Sequence, residues 1–342
     1  MKILVTGGAG FIGSNFINYI LNKTDFYVIN IDKLTYAGSK DSIIDKKNYK
    51  FYKLDICDYN GVSSVLNKEQ PNIVVNFAAE SHVDKSIKKP DDFIKTNVLG
   101  VSNLLNCSLE YYNKIKNSGF DNNNFKFIHI STDEVYGSLK IDDKKFNEKN
   151  KYFPSSPYAA SKASSDHLVY SWYKTYGLPT IITNCSNNYG PFQFPEKLIP
   201  FMIINCLEQK SLPLYGNGEN IRDWIYVIDH CKAIVKIMQN GSIGENYNIG
   251  GSCEKTNNEI VQKICLIMDE IKPRSNNKSY SELIVYVEDR LGHDFRYAVD
   301  SSKLENDLGW KPQFDFDSNL KKTIKWYLDN VDWWSQKTRN QI

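Results

Sequence analysis

The sequence predicts an α/β protein, a doubly wound parallel sheet with a smaller C-terminal α/β lobe, on three observations. Short apolar runs alternate with helix-length segments through the first half, and strands covered on both faces read as nearly unbroken apolar stretches. A glycine-rich turn follows the first run directly. After about residue 190 the alternation breaks at Pro191, Pro195, Pro200 and Pro213, with Gly190, Gly216 and Gly218 between them, marking a change of architecture.

Taken in order, the strand candidates are Lys2–Thr6, Tyr27–Asp32, Lys50–Asp55, Ile73–Ala78, Phe125–Ser131 and Thr180–Cys185, several rich in Val and Ile. Among the helices, Phe11–Leu21 follows the glycine turn. Asp91–Asn113 follows Pro90 and carries Phe93, Ile94, Val98, Val101, Leu104 and Leu105; proline suits helix entry. Ser155–Tyr176 opens on Ser-Ser-Pro. The chain of 342 residues is long enough for two lobes. They are expected at 1–187 and, mainly, 188–342. Later segments near 223–249 should complete the first sheet, with a return at Glu245–Ile249, and Lys272–Lys278 should be an exposed loop.

Lys and Arg number 42 against 40 Asp and Glu, a net charge of +2, which argues against a dedicated nucleic-acid or membrane-surface protein. Seven cysteines occur singly with no C-x-x-C. A disulfide framework or a metal site is therefore not expected, and small core residues in a reducing compartment are. No apolar run approaches a membrane span and no secretory signal is read at the start, so the expected location is the cytoplasm.

The N-terminal run reads Thr6-Gly7-Gly8-Ala9-Gly10-Phe11-Ile12-Gly13. Glycines let backbone approach a pyrophosphate, and the helix start behind them offers free N–H groups. Both Gly8-x-Gly10-x-x-Gly13 and Gly7-x-x-Gly10-x-x-Gly13 fit, which leaves the role of Gly8 open. Asp32 ends the second strand about 20 residues on, placed to accept from ribose hydroxyls and to repel a 2′-phosphate. NAD is thus favoured over NADP, with Lys33 softening the preference. Asp55 and Ile56 could flank the adenine, and Ala78 and Ala79 leave room for the cofactor at the fourth strand end.

Tyr158 and Lys162 form Tyr-x-x-x-Lys, one turn apart on a helix face. A phenol titrates near 10 and is a poor base at neutral pH, but a neighbouring ammonium and a positive nicotinamide favour the phenolate. The fifth strand runs into Ser131-Thr132-Asp133-Glu134. Two adjacent acids tend to separate in affinity for a proton, so one can donate while the other accepts. Alone, the first pair reads as a surface helix pair and the second as a solvated turn; the glycine turn and the strand-end position favour function.

These motifs resemble the extended short-chain dehydrogenase/reductase group, of Rossmann type, and within it the dTDP-glucose 4,6-dehydratase family. The resemblance spans nearly the whole chain through TGGAGFIG, AAESHVDKSI, STDEVYG, YAASKASSDHLV, NCSNNYGPFQFPEKLIP, LYGNGENIRDWIYVIDH, NIGG and DRLGHDFRYAVD. The first and fourth mark only the superfamily; the acidic pair is more diagnostic. The resemblance implies that Tyr158, with Thr132 and Lys162, takes the 4-hydroxyl proton of a hexose as hydride passes from C4 to NAD. Glu134 then removes the C5 proton, Asp133 protonates the leaving 6-hydroxyl, and hydride returns to C6. For the nucleotide sugar it points to Ser81, His82, Asn187, Glu196, Lys197, Leu198, Tyr215, Arg222, Asn257, Arg290 and His293. Lys197, Arg222 and Arg290 suit a diphosphate clamp, and Tyr215 could stack on the base. It also implies a homodimer and a place in deoxysugar synthesis, rhamnose being one usual outcome. Leu291 stands where the family often has Pro. The residues leave open uridine against thymidine. A 4-epimerase would lack the acidic pair, and a non-catalytic NAD sensor would not need the intact set.

Overall fold

The computed structural model describes residues 1–44, 46–117, 125–313 and 315–339. Residue 314 and the last three residues of the expected second lobe, like 45 and 118–124 of the first, lie outside them. The strands are β1 (Lys2–Thr6), β2 (Tyr27–Asp32), β3 (Tyr49–Lys53), β4 (Ile73–Asn76), β5 (Lys126–Thr132), β6 (Thr180–Cys185), β7 (Asn187–Tyr189), β8 (Leu212–Tyr215), β9 (Ile221–Tyr226), β10 (Asn246–Ile249), β11 (Glu254–Thr256), β12 (Ile284–Val287) and β13 (Arg296–Tyr297).

Seven of them form one parallel sheet in the order β10-β6-β5-β4-β1-β2-β3. The order reverses between β1 and β4, the crevice where such sheets bind ligands at their carboxyl ends. The apolar strands follow from burial on both faces. In β1, Ile3 and Val5 join one core cluster and Leu4 the other, as period-two alternation requires. Helices Tyr59–Glu69, Val101–Asn117 and Pro157–Tyr176 pack on the Leu4 side. The other side takes Phe11–Lys23 together with Val227–Asn240, which lies beyond residue 187.

A second, four-stranded sheet joins β11, β9 and β13, with β7 also on β9, and β12 pairs with β8. Asp223–Tyr226 thus belongs to this second sheet, whereas β10 adds to the first beside β6. Helices Leu198–Leu207, Asn257–Ile271 and Phe316–Asp329 build a separate core around Ile203, Ile264 and Leu320.

Three further elements differ from the sequence expectation. Strands β3 and β4 end earlier than expected, so Asp55, Phe77 and Ala78 leave the sheet and turn into the crevice. The continuous helix expected over Asp91–Asn113 is one turn at Pro90–Phe93, a π-helical stretch Ile94–Gly100 and then Val101–Asn117. The wide turn lets Asn97 bridge elements. Its Oδ1 accepts from Glu80 N at 2.9 Å, and its Nδ2 donates to Glu80 O at 3.0 Å and Ser161 Oγ at 2.8 Å. Such inserted turns gather at functional sites.

Candidate active site

The cleft at the carboxyl edge of the sheet is floored by the turn after β1. Gly7 has φ +68°, a conformation L side chains rarely adopt, and a Cβ there would lie 2.6 Å from the Ala78 backbone. A Cβ on Gly13 would stand 2.5 Å from Gly7 O. Only bare backbone at these two positions lets the turn close against Ala78 and the helix start close against the turn. Gly8 packs instead against Asn30 and Ile17 and does not line the cleft, which answers the question its motif left open. Gly10, Phe11 and Ile12 bring the helix start to the cleft wall, where unpaired N–H groups favour an anion.

Asp32 is drawn to this turn: Oδ2 accepts from Ala9 N at 3.0 Å and Oδ1 from Leu34 N at 2.7 Å. Burial raises its carboxyl above the ordinary range against those two bonds. Lys33 turns away from the glycines, with Nζ 3.2 Å from Thr96 Oγ1, 3.6 Å from Glu80 and 3.9 Å from Asp55. Asp55, Ile56, Ala78 and Ala79 complete the same wall.

At the other end of the cleft stand Thr132, Asp133, Glu134, Tyr158 and Lys162, all lining it. The local sequence sets each in place. Ser156 Oγ accepts from Ala159 N at 3.1 Å and Pro157 opens the helix, so the helix starts one residue before Tyr158. At the end of β5, Thr132 Oγ1 accepts from Glu134 N at 3.3 Å and turns the chain into a short 3₁₀ helix carrying both acids. Phe93 packs edge-on to Tyr158 at 6.3 Å. Lys162 Nζ donates to Ile130 O at 2.8 Å.

Burial raises the Tyr158 phenol well above its ordinary value, and the charge of Glu134 adds to this; a hydrogen bond with Thr132 opposes it. Burial likewise lowers the Lys162 ammonium. The Asp133 carboxyl is pushed well up by burial and then by Glu134 and Asp223, and its Oδ2 has no hydrogen-bond partner. Glu134 is also raised by burial, but Lys197, Arg222 and Arg290 oppose the shift. The two acids are therefore inequivalent: Asp133 is the better proton holder and Glu134 the better acceptor.

The remaining expected residues are distributed around this centre. Ser81, Asn187, Glu196 and Lys197 line the cleft, while His82, Leu198, Tyr215, Arg222, Asn257, Arg290 and His293 do not. Lys197 Nζ donates to Ser81 O at 2.8 Å. Glu196 is engaged on both oxygens, by Tyr36 at 3.0 Å and by Lys85 at 3.1 Å and His82 at 3.3 Å. Arg222 bonds the carbonyls of Ile221 at 2.7 Å and Asp294 at 3.0 Å and lies 4.4 Å over the Tyr297 ring. Arg290 sits 3.6 Å from Asp84, with its Nε unbonded. Tyr215 is exposed and meets His293 edge-on at 6.2 Å, and His293 bonds Asp289 at 2.7 Å. Asn257 is buried at the head of its helix, and Leu198 opens the helix after Lys197. Sequence reasoning missed Glu80, Thr96, Ser131, Cys185 and Gln193 as cleft residues. Only β4 and β6 ending side by side with β5 could have signalled Glu80, Ser131 and Cys185; Gln193 follows β7, a strand of the second sheet.

A dinucleotide cradle facing a tyrosine–lysine pair at the strand ends is the arrangement of the extended short-chain dehydrogenase/reductases, and this fold and cleft define the chain as an enzyme of that class. The family model described as GDP-mannose 4,6 dehydratase matches residues 4–323. The dTDP-glucose 4,6-dehydratase of Shigella flexneri is 52% identical over 97% of this chain and 94% of its own. Among solved structures, the Bacillus anthracis dTDP-glucose 4,6-dehydratase in complex with NAD is 43% identical, covers 98% of this chain and 99% of its own, and superposes with TM-score 0.86. The Streptomyces venezuelae enzyme DesIV, solved with NAD bound, is 40% identical with TM-score 0.89, covering 98% and 100%. The chain belongs to the dTDP-glucose 4,6-dehydratase family.

Proposed function

We propose that this protein converts dTDP-glucose to dTDP-4-keto-6-deoxyglucose, a net dehydration using bound NAD. The observation that carries the reading is the inequivalent acid pair, Asp133 and Glu134, set beside Tyr158 in one cleft with the dinucleotide cradle. A 4-epimerase has no use for that pair.

The cradle fits the cofactor. Gly7 and Gly13 leave backbone free at the helix start, and Asp32 lies where ribose hydroxyls would donate. NAD held there would supply reversible two-electron chemistry, a hydride acceptor for C4 oxidation and a donor for reduction at C6. Tyr158, bonded to Thr132, accepts the 4-hydroxyl proton, and Lys162 behind it stabilises the phenolate. The 4-ketone then acidifies C5–H, and Glu134 removes that proton. Asp133, whose carboxyl burial pushes toward the protonated form, gives its proton to the departing 6-hydroxyl, so water leaves. Glu134 returns a proton to C5, Tyr158 releases its proton to solvent and Asp133 takes one up, so the sum is loss of one water. The cations Lys197, Arg222 and Arg290, whose fields converge on Glu134, would serve the diphosphate.

In this reading residues 1–187 hold mainly NAD, and 188–342 mainly the sugar nucleotide through Ser81's neighbours Glu196 and Lys197 and through Tyr215, Asn257 and His293. Two copies pair through the helical segments 91–117 and 157–176, whose Ile94, Leu99 and Tyr170 are exposed. No described helix is long and apolar enough to cross a membrane.

The deciding assay presents dTDP-glucose and UDP-glucose side by side. Alkali-induced absorbance of a 4-keto-6-deoxy sugar is expected, faster from the dTDP sugar. Accumulation of the 4-epimer without that chromophore would overturn the reading. Gly13→Ala, which sets a methyl against the Gly7 carbonyl and Gly8 Cα and so displaces the glycine turn, is expected to weaken NAD binding by about tenfold or more, an overlap costing about 1–3 kcal/mol; titration of NAD into stripped protein measures it, and unchanged affinity would remove Gly13 from the site.

A further inference from the structure

Behind the cleft, meeting its lining only at Ser131 and Lys162, lies a buried polar chain that the reaction above does not use. Thr6 Oγ1 donates to Asn76 Oδ1 at 2.5 Å, which orients the Asn76 amide so that its Nδ2 faces His129 Nδ1 at 3.0 Å. Nδ1 must then accept. Burial and the Lys162 charge hold His129 neutral, so its single ring proton sits on Nε2. That nitrogen faces Ser165 Oγ at 3.2 Å and Asp166 Oδ1 at 3.4 Å. The other Asp166 oxygen accepts from Ser131 Oγ at 2.8 Å and Asn184 Nδ2 at 3.2 Å. His129 and Asp166 are buried and neither lines the cleft.

Lys162 Nζ abuts the same ring nitrogen at 3.3 Å. With Nε2 carrying the proton, the ring has no lone pair to offer the ammonium there. The Ile130 carbonyl bond is neutral. A buried ammonium needs a counter-charge, and the carboxylate across the imidazole supplies it.

We propose that Asp166, held by Ser131 and Asn184 through one oxygen and turning its other, unbonded oxygen toward His129, is the positioning residue that keeps Lys162 charged while Tyr158 takes the substrate proton. The role rests on the reading of Tyr158 and Lys162 as the proton-accepting pair. Mutual coupling agrees with it: Asp166 raises Lys162 against burial, and Lys162 lowers Asp166, whose carboxyl burial pushes up to about 6. The other titratable groups facing this pair are Cys185 from β6, Tyr152 and Tyr136 from the segments over the helix, His129 and, through Cys185, Asp133 from the β5 end. The raised thiol and phenols are neutral at working pH, which leaves Asp166 as the anion that answers Lys162.

The sign of the effect follows. Above about pH 6 Asp166 is charged and supports the ammonium; below it the carboxyl is protonated and the wild type resembles a neutral variant. The test is kcat/KM for dTDP-glucose on the holoenzyme between about pH 5.5 and 9.5, for wild type, Asp166→Asn, Ser131→Ala and Lys162→Met. Asp166→Asn should match wild type at the acid end and diverge above it, its alkaline fall-off about one pH unit lower and its rate there about tenfold lower, with KM unchanged. Ser131→Ala keeps the charge but weakens it, so its loss should be confined to the near-neutral range. It also serves if Asp166→Asn does not fold, in which case a Ser131→Ala profile like wild type overturns the proposal. So does a folded Asp166→Asn whose profile is merely scaled down at every pH. Lys162→Met separates the levels: lost turnover beside a wild-type-like Asp166→Asn profile overturns the role of Asp166 alone, whereas retained turnover overturns the pair itself.

Discussion

Tyr158→Phe is expected to abolish formation of the 4-keto-6-deoxy product, lowering kcat by about 10³-fold or more, while NAD binding and fold are retained. The phenol hydroxyl is the only atom removed, and the ring keeps its packing against Phe93. Without it no group accepts the 4-hydroxyl proton as C4 is oxidised, and every later step depends on the ketone. General-base removal typically costs about 10²–10⁴, and the upper end applies because burial leaves water little access to replace Tyr158. Product formation from dTDP-glucose measures it. A variant within tenfold of wild type would show that another base starts the reaction.

Glu134→Gln is expected to divide the reaction in two. Oxidation at C4 should proceed, because Tyr158 and Lys162 are untouched. The amide cannot take a proton from C5, so elimination should fall by about 10²–10⁴. Quenching with borodeuteride should then trap the 4-ketone as deuterium at C4, and solvent deuterium should no longer enter C5. Wild-type water release by this variant would transfer the base role elsewhere. The variant also tests the charge balance around the pair. Glu134 is the second-largest cause of the raised Asp133 carboxyl, so removing its charge should lower Asp133 somewhat. Burial, the larger cause, remains and should still favour the protonated form.

The two effects share a cause that is physical before it is biological. A phenol and two carboxyls are all drawn into low dielectric, and each is shifted toward its neutral form. Lys197, Arg222 and Arg290 all act on Glu134, whereas of the three Arg222 is the one that opposes the shift at Asp133. Adjacent acids of nearly equal intrinsic strength thereby take opposite roles.

The parallel sheet and its crevice were legible because their signals are local. An apolar run of strand length, a glycine where backbone must come close, and an acid at the next strand end are all read within about 20 residues. The tyrosine and lysine were legible for the same reason, one helical turn apart. The Asn97 bulge was not, since an apolar pattern of helical period also fits a helix that widens by one residue. Nor was the covering of the first sheet by Val227–Asn240, or the capture of Asp223–Tyr226 by the second. Whether Arg222 points at a ligand or binds the carbonyls of Ile221 and Asp294 is likewise invisible in its motif.

The sequence by itself determined which residue types stand at each strand end, and so the chemistry the protein can attempt. Tertiary structure alone decided which acid is pushed further toward its protonated form, which cations act on the other, and that Asp166 faces His129 across the space between a strand and a helix. Side-chain identity is a property of one position and its near neighbours. Proton affinity depends on solvent exclusion and on charges brought close by packing between positions far apart in the chain, which no local pattern encodes.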